Sequence, residues 1–433
     1  MKNIVMVGQF GDISGYGHAA RCYFKTLKQL HEQGTINLSI INYSMEHSIN
    51  LKKACSVKEI EDLKKYSIDG DLESYNCQIE LKGGTRNTVN FISKSARESI
   101  TALLDRKYEV LVYLTPDWIH ADNISHPLFS KKEYANLTIE RLNLAHIVER
   151  SHKYHHCVVW ETTGINKRWQ SVFNAHPPDK IICASEWNNQ VFQNILECDS
   201  TVIPYCFENE QTDLQLKANS SRDIFTFYYI GAWTYRKAID EVLLAYFMEF
   251  KNDPVNFVLK TDSSNSIDNI KTKVKDIKQV IVEVDDKYRC RLKVINEYIS
   301  SSETKAIHET AHCYISATRG EGFGIPIANA IMNENPVIVP NKGGHIDYIS
   351  SDNYFIECYE SPVINMYPHH YSSSMNFYEP NILSIKTQMR SAYEEWKNNP
   401  DAFYARGKNS KEYASKYLSI ENNIALFKKH LEI

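Results

Sequence analysis

The sequence lacks the features that would tie it to a zinc site, a membrane or nucleic acid. Its ten cysteines stand singly with no C-x-x-C pair, which argues against structural zinc and favours a reducing compartment. No apolar run approaches the roughly 20 residues of a membrane helix, so at most peripheral membrane contact is expected. With 49 basic and 53 acidic residues the net charge is −4, and no basic block marks a nucleic-acid binder. The opening MKNIVMVGQF is too short for a signal-peptide core, which predicts a cytoplasmic protein.

The composition is that of an ordinary globular protein, with 43% hydrophobic and 24% charged residues. At about 150 residues per domain, the length of 433 favours three domains or, more naturally, two large ones. Short apolar runs alternate with amphipathic stretches, a pattern typical of α/β domains with parallel sheets. Residues 208–222 (ENEQTDLQLKANSSR) have no apolar anchor and are the best linker candidate. We therefore predict domains over residues 1–210 and 211–415, followed by a terminal helix within 416–433.

The apolar runs predict the elements that carry the candidate sites. In the first half, strands are predicted at residues 1–7, 39–42, 108–114, 157–160, 180–184 and 202–204, with a helix at 18–32. In the second half, strands are predicted at 225–230, 255–260, 291–294, 312–316 and 336–339, with helices at 240–250, 326–332 and 422–431. Residues 45–100 are harder to interpret, apart from a hairpin predicted around residues 83–84.

The strongest local signal is the run TRGEGFGIP at residues 318–326. It follows a predicted strand and opens a predicted helix, with proline in the first turn. Its glycines allow a ligand to approach the backbone, and a helix N-terminus presents free amides to an anion. Glu321, just ahead of those amides, is placed to accept hydrogen bonds from hydroxyl groups. The run predicts a site for a phosphorylated, hydroxyl-rich ligand such as a sugar nucleotide; a tight turn without a ligand is the alternative.

A second signal is the adjacent pair of cations Arg236 and Lys237, again between a predicted strand and a predicted helix. Arginine offers a planar fork of donors and lysine a point charge, so the pair suits a diphosphate. The alternative is a solvated pair with no partner. Both loops lie at equivalent edges of the same predicted sheet, which favours one shared site.

These runs resemble a known family. GEGFGIPIANAIMNENPVI resembles the E-G-F-G-x-P-x-x-E-A-M-x-x-G-x-P-V-I segment of retaining GT-B glycosyltransferases of family 4, the glycosyl transferases group 1. IGAWTYRKAIDEVLLAY is similar to their G-x-x-x-x-R-K-G-x-D-x-L-L-x-A-F segment. CVVWETT, IICASEWNNQVF and VIPYCFE resemble their N-domain strands, and YEPN at 378–381 resembles their E-P-D stretch. The resemblance runs in order through both halves and is weakest over residues 45–100.

The resemblance implies an α/β fold of GT-B architecture, with two Rossmann-like domains facing each other across a cleft. The last helix usually crosses back onto the N-terminal domain. By this resemblance, Arg236 and Lys237 of this chain would hold the diphosphate of a nucleotide sugar, and Glu321 would contact the sugar hydroxyls. Further donor-binding residues implied in the same loop are Arg319, Gly322, Phe323 and Gly324.

Three positions depart from the family pattern. The family's second glutamate, which usually holds the nucleotide ribose, is Asn329 here. Asparagine donates and accepts hydrogen bonds but carries no charge. The family's glycine shortly before P-V-I is also absent, and Ala238 replaces the glycine that follows R-K. The change at residue 329 predicts weaker donor binding or a different ribose contact, and it motivates the alternative of a lost donor site.

Two places in the first half are candidates for the same cleft. The run GDISGYGH at residues 11–18 resembles the family's glycine-rich first loop, which implies donor contacts from Gly15, Tyr16 and Gly17. GYGHAA also matches a dinucleotide fingerprint, but its glycines begin far from the first strand and no acidic residue ends the second. Glu161 resembles the glutamate of a W-E-T segment in some family members, and we expect it near the sugar or acceptor hydroxyl. A helix-capping carboxylate is the alternative.

Patterns for metal binding are weak. The D-x-D run at residues 69–71 resembles that of metal-dependent enzymes, but it follows a polar lysine-rich segment and a turn is favoured. The histidine pairs at 155–156 and 369–370 are neighbours, whose side chains point to opposite faces of a strand. We therefore predict no metal and no cofactor.

The leading hypothesis is a retaining, metal-independent glycosyltransferase, a hexosyltransferase that uses a nucleotide-diphosphate sugar. Its predicted catalytic residues are Glu161, Arg236, Lys237 and Glu321. A surface glycan or its precursor is the favoured acceptor, ahead of a protein or small metabolite. Modified DNA bases are a less favoured acceptor, motivated by lysines within residues 52–65 and by 27 tyrosines. A non-catalytic sugar-nucleotide or glycan-binding protein of the same fold is the alternative from another class.

Overall fold

The protein is built from two parallel β-sheets with helices packed against them, one sheet in each half of the chain. The computed structural model describes residues 1–12, 14–42, 55–68, 75–80, 86–91, 107–116, 144–207, 224–262, 266–281, 289–364 and 370–433. Within these residues, no helix is both long enough and apolar enough to cross a bilayer.

Six parallel strands form the first sheet, and two antiparallel strands form a separate hairpin. In chain order the strands are β1 (Lys2–Gly8), β2 (Ile36–Asn42), β3 (Tyr75–Glu80), β4 (Arg86–Phe91), β5 (Glu109–Tyr113), β6 (Lys153–Val158), β7 (Lys180–Cys183) and β8 (Ser200–Val202). The sheet order is β2-β1-β5-β6-β7-β8, and β3 pairs with β4. The helices are α1 (Gly15–Glu32), α2 (Val57–Tyr66), α3 (Leu144–Arg150), α4 (Lys167–Ala175) and α5 (Glu186–Gln193). The β5 run EVLVY is buried throughout, as in strands covered on both faces.

The second sheet repeats this design. Its strands are β9 (Thr226–Ile230), β10 (Asn256–Thr261), β11 (Arg291–Asn296), β12 (Cys313–Ile315), β13 (Val337–Pro340) and β14 (Tyr354–Ile356), in the order β11-β10-β9-β12-β13-β14. An antiparallel hairpin follows, β15 (Cys358–Pro362) and β16 (Asn376–Pro380). The helices are α6 (Ile239–Phe250), α7 (Ile267–Val280), α8 (Ser301–Thr310), α9 (Ile325–Met332), α10 (Ile382–Asn398), α11 (Pro400–Leu418) and α12 (Ile420–Leu431).

The α/β architecture predicted from the sequence is confirmed, while the boundaries of its elements shift. The prediction for β6 at residues 157–160 was wrong at both ends. This strand begins at Lys153 and ends at Val158, because its residues pair with β5 from Glu109 onward. Trp160 and Glu161 therefore lie in the loop beyond the carboxyl end of β6, where ligand-binding loops of parallel sheets lie.

The first helix also begins earlier than its pattern predicts. Ser14 caps α1 by accepting a hydrogen bond from the Gly17 amide, so the glycines at 15 and 17 form the first helical turn. The hairpin predicted near residue 83 is present as β3 and β4, although residues 81–85 lie outside the described residues. The predicted linker and the domain boundary at residue 210 also lie there, so that division stays a prediction.

The last helix, α12, packs onto the first half of the chain. The Phe427 ring meets the Tyr23 ring edge-on, with centroids 5.5 Å apart. Lys2 Nζ donates a hydrogen bond of 2.6 Å to the Leu431 carbonyl at the end of the helix. That cation also complements the negative end of the helix dipole. These contacts connect the two ends of the chain.

Candidate active site

A short 3-10 turn, Tyr235–Lys237, carries two cations beyond the carboxyl end of β9. Ala238 joins this turn to α6 with a φ of 53°, in the left-handed region that favours glycine. This backbone geometry explains why the family that the sequence resembles carries a glycine at the equivalent position. The Arg236 carbonyl accepts a hydrogen bond of 2.7 Å from the Arg319 amide, which holds the turn beside the loop before α9.

Both cations of the turn bind one carboxylate. Lys237 Nζ lies 2.5 Å from Glu321 Oε2, and Arg236 Nη1 lies 3.4 Å from the same oxygen. The Lys237 and Glu321 side chains are only 14% and 13% exposed. Burial lowers the pKa of Lys237, and the neighbouring Arg236 charge lowers it further. The structure thus brings together three of the four predicted catalytic residues in a largely desolvated cluster.

The ion pairs at Glu321 predict a pH dependence of stability. Burial acts to raise the pKa of Glu321, but the charges of Lys237 and Arg236 outweigh it and lower the pKa below the usual 4.5. This carboxylate therefore stabilises the fold above pH 4.5, and its contribution is lost as the pH falls through the folded-state pKa. We expect wild type to lose stability relative to Glu321→Gln as the pH falls from about 7 to about 3, measured by denaturant unfolding. A stability difference that stays constant across this range would contradict the ion pairs.

Glu161, the fourth predicted residue, reaches the cluster from the first half of the chain. Its Oε1 lies 3.5 Å from Arg236 Nη2, so the guanidinium bridges carboxylates from both halves. Arg236 Nη1 also donates a hydrogen bond of 2.6 Å to the Gly320 carbonyl. A helix-capping role does not fit Glu161, because Asn166 is the N-cap of the following helix α4.

Glycines of the loop bring the two halves into direct contact. A Cβ added at Gly320 or Gly322 would lie less than 3.0 Å from the carbonyl oxygens of Glu161 and Trp160, respectively. Ser185, the N-cap of α5, donates a hydrogen bond of 2.6 Å to the Gly322 carbonyl. Contact of these two glycines with a ligand stays a prediction. They make room for the backbone of the opposite half.

Arg319 supports the loop rather than facing a ligand. Its guanidinium donates hydrogen bonds to the carboxylates of Glu241 and Glu379 and to the Tyr235 carbonyl. It also stacks over the Tyr235 ring at 3.8 Å, and the residue is 2% exposed. The prediction that Arg319 binds the donor does not fit this position, because protein groups already occupy its donor atoms.

The remaining predicted residues of this loop shape the start of α9. Gly324 is the N-cap of the helix and has a φ of 89°, a backbone conformation that residues with a side chain rarely adopt. The Phe323 ring is buried and stacks on the Phe207 ring, with centroids 6.2 Å apart. Asn329 lies in the second turn of α9, half-buried, and its side chain makes no hydrogen bond within the described part of the chain.

The first loop, which leads from β1 into α1, carries three more of the predicted donor-binding residues. A Cβ at Gly17 would lie less than 3.0 Å from the Asp12 carbonyl, so this glycine is required by the turn itself. Gly15 is exposed, and nothing lies within 4 Å of an added Cβ there. The Tyr16 ring packs edge-on against Tyr113 at 5.6 Å and stays partly exposed. Of these three residues only Tyr16 has a side chain, and its ring is exposed enough for a ligand to contact it.

Three residues of the cluster carry no sequence signal. Tyr371 donates a hydrogen bond of 3.2 Å to Glu161 Oε2. Tyr229, on β9, is buried, and burial together with the Glu321 charge raises the pKa of its phenol. His345 is fully buried with Nε2 2.8 Å from the Pro340 carbonyl, and burial lowers its pKa. They are brought to the cluster by tertiary packing, and no motif or spacing points to them.

Among the described residues, the metal-like patterns of the sequence form no site for a metal. The D-x-D run at 69–71 and His369 lie outside the described residues. His155 and His156 are buried in β6, where His155 lies 3.5 Å from Glu109. The run HETAH at 308–312 was not among the predicted patterns, although it matches the H-E-x-x-H pattern of zinc proteases. It forms no such site, because α8 ends at residue 310 and the two histidines bond Tyr228 and the Thr226 amide. Among described residues, no three potential metal ligands cluster.

Solved structures similar to this chain are glycosyltransferases. No family model and no curated protein match the sequence. A glycosyltransferase from Rickettsia africae is 16% identical, with a TM-score of 0.61 and coverage of 100% of this chain and 99% of that one. S. aureus TarM is 12% identical, with a TM-score of 0.60 and coverage of 99% of both chains. The pneumococcal O-GlcNAc transferase GtfA is 11% identical, with a TM-score of 0.58 and coverage of 100% and 98%.

Identities this low show the fold, which is the α/β GT-B architecture predicted from the sequence. The TarM structure contains UDP, α-GlcNAc-glycerol and fondaparinux, and the GtfA structure contains UDP and GlcNAc. The alignments cover nearly the whole length of both chains in each comparison, so the likeness of fold includes both sheets.

Proposed function

We propose that this protein is a retaining, metal-independent glycosyltransferase that takes a sugar from a nucleotide-diphosphate sugar, foremost a UDP-sugar. The observation that carries the proposal is the cluster of Arg236, Lys237, Glu321 and Glu161, assembled from both halves of the chain. UDP in the TarM and GtfA structures supports the choice of base. A glycan or its precursor is the proposed acceptor, in line with the sugars in the same structures.

The two cations bind the diphosphate in this proposal. Arg236 supplies a planar fork of donors and Lys237 a point charge. The interactions of both with the leaving phosphate strengthen as negative charge grows on it. Their present carboxylate partners hold them in place before a ligand arrives. An incoming diphosphate also favours the charged form of Lys237, whose pKa burial lowers. The chain thus stabilises the leaving group with charges that need little reorganisation.

The carboxylates and the start of α9 bind the sugar. Glu321 has its Oε2 on the cations, which leaves Oε1 to accept from sugar hydroxyls. The amides of Gly322, Phe323 and Gly324 lie at the N-terminus of α9, whose dipole favours an anionic ligand. Asn329, one turn further on, replaces the ribose-binding carboxylate by an uncharged amide. Weaker ribose binding follows, and the cation cluster carries more of the affinity.

No side chain need act as the nucleophile in this reaction. The acceptor hydroxyl attacks the anomeric carbon on the face from which the diphosphate leaves, and the departing phosphate oxygen takes the hydroxyl proton. The sugar–phosphate bond breaks, the new glycosidic bond forms on the same face, and the configuration is retained. The chain contributes positioning and charge stabilisation. Glu161 lies at the cluster from the acceptor-side half, where it orients the sugar or the acceptor hydroxyl.

A thermal-shift screen with nucleotide sugars tests the proposal. A ligand that binds only the folded state adds about 2.7 kcal/mol to the free energy of unfolding at a hundredfold excess over Kd. The melting temperature rises as a result. We expect UDP and UDP-sugars to raise it, with GDP, ADP and CDP sugars giving smaller shifts. Chelator should leave both the shift and sugar transfer unchanged. Loss of the shift with chelator contradicts metal independence, and no shift with any nucleotide contradicts the donor site.

The rival hypotheses gain no support from the described residues. Lysines within residues 52–65 motivate a DNA acceptor, but the same segment carries Glu59 and Asp62. These acidic residues pair with lysines of α1, Lys25 at 3.3 Å and Lys28 at 2.5 Å. A non-catalytic binding protein was motivated by Asn329 alone. The complete cation–carboxylate cluster favours turnover, and release of UDP during transfer separates the two.

A further inference from the structure

The β15–β16 hairpin forms hydrogen bonds with loops from both halves of the chain. In β16, the Asn376 carbonyl accepts a hydrogen bond of 3.1 Å from the Thr163 amide, and the Asn376 amide donates one of 3.0 Å to Thr163 Oγ1. Two residues on, the Tyr378 amide donates a hydrogen bond of 2.8 Å to the Arg319 carbonyl. A strand of the second half is thereby attached to the loop after β6 and to the glycine loop together.

Tyr371 precedes β16 and has its ring fixed by neighbouring aromatics. It stacks on Trp160 with centroids 5.2 Å apart and an interplanar angle of 23°. The Trp160 indole is itself held, since its Nε1 donates a hydrogen bond of 2.6 Å to the Gly164 carbonyl. On another side, Phe377 lies 5.7 Å from the Tyr371 ring. The direction of the phenol is therefore set by packing.

That direction leads to Glu161. The Tyr371 hydroxyl donates to Glu161 Oε2 at 3.2 Å, while Oε1 of the same carboxylate faces Arg236 Nη2 at 3.5 Å. Each carboxylate oxygen thus has its own partner, and both partners come from the second half of the chain. Burial and the Glu161 charge raise the pKa of Tyr371, so the phenol keeps the proton that it donates.

We propose that Tyr371 is a positioning residue of the active site: it holds the Glu161 carboxylate in the orientation that transfer requires, and so makes seating of the hairpin a condition of turnover. This inference rests on the proposed function. Without the hydroxyl, the carboxylate is free to rotate toward Arg236 and form a closer, bidentate pair. That pair would withdraw Glu161 from the substrate and engage an arginine needed for the diphosphate.

The test is Tyr371→Phe, which keeps the ring on Trp160 and removes only the hydroxyl. With a UDP-sugar, we expect kcat to fall about tenfold, the size of a lost hydrogen bond to a charged group, while KM for the donor stays within about twofold. Tyr359→Phe is the matched control, because Tyr359 lies in the same hairpin and is 60% exposed. In a Glu161→Gln background, Tyr371→Phe should have no further effect on kcat.

An unchanged kcat in Tyr371→Phe overturns the proposal, and so does an effect that adds in full to that of Glu161→Gln. A thermal-unfolding cycle over wild type, Tyr371→Phe, Glu161→Gln and the double variant checks the hydrogen bond without any turnover. Fully additive changes in melting temperature also overturn the proposal. Failure of the proposed function has a different signature. Wild type would then neither bind nor turn over any nucleotide sugar, while the unfolding cycle still decides whether Tyr371 holds Glu161.

Discussion

Replacing Gly322 by alanine is expected to separate the two halves of the protein and abolish activity. The added Cβ would lie 2.8 Å from Asn188 Oδ1 and less than 3.0 Å from the Trp160 carbonyl oxygen and Val159 Cγ2. One of these atoms is backbone, so relief requires movement of the whole loop. The movement would break the hydrogen bond from Ser185 to the Gly322 carbonyl. We expect a loss of at least about 3 kcal/mol in the free energy of unfolding.

Denaturant unfolding and donor turnover measure this effect, and Gly164→Ala is its control. Gly164 lies at the same contact between the halves, but an added Cβ would meet only Met375 Cγ, at 3.5 Å, which is ordinary van der Waals distance. The control should stay within about 0.5 kcal/mol of wild type. If Gly322→Ala is as stable and as active as the control, the close approach of the two halves is wrong.

Replacing Lys237 by alanine is expected to lower kcat/KM for the donor about 10²- to 10³-fold, the usual cost of removing one preorganised charge from a transition state. The ammonium lies 2.5 Å from Glu321 and is 14% exposed, so little water can replace it. Its loss also leaves Glu321 facing Arg236 alone at 3.4 Å. The thermal shift with UDP should shrink in parallel, because the same charge binds the ground-state diphosphate.

Initial-rate kinetics and UDP titration of folded variants measure this effect. Lys271→Ala is the matched control, since Lys271 is 70% exposed on α7 and its removal changes the net charge equally. Its kinetics should match those of wild type. If both lysine variants behave alike, the cation pair is not the diphosphate site and the assignment of the donor pocket is wrong.

Local pattern was enough to predict the two sheets and the loops that carry the cluster. Strands such as β9 and β12 are short apolar runs, and the loops after them lead into helices whose N-caps are Ala238 and Gly324. Such strand–loop–helix units are specified by residues close in sequence, which is why their existence was predicted and their boundaries moved by only a few residues. The same local chemistry placed Arg236, Lys237 and Glu321 at one sheet edge.

What the sequence could not provide is which distant segments meet. Arg319 was expected to face the donor, but a buried arginine takes whichever carboxylates the fold supplies, here Glu241 and Glu379. Tyr371 has no motif, and it reaches Glu161 only because the hairpin packs against the loop after β6.

The sequence by itself determined the α/β class, the paired sheets and the cation–carboxylate chemistry, because periodicity, turn residues and charge act over a few neighbouring positions. Only the tertiary structure decided that Gly320 and Gly322 serve the contact between the halves and that Glu161 joins Arg236. Those contacts depend on how two separately built sheets dock. Docking is set by packing over the whole molecule, which no local pattern encodes.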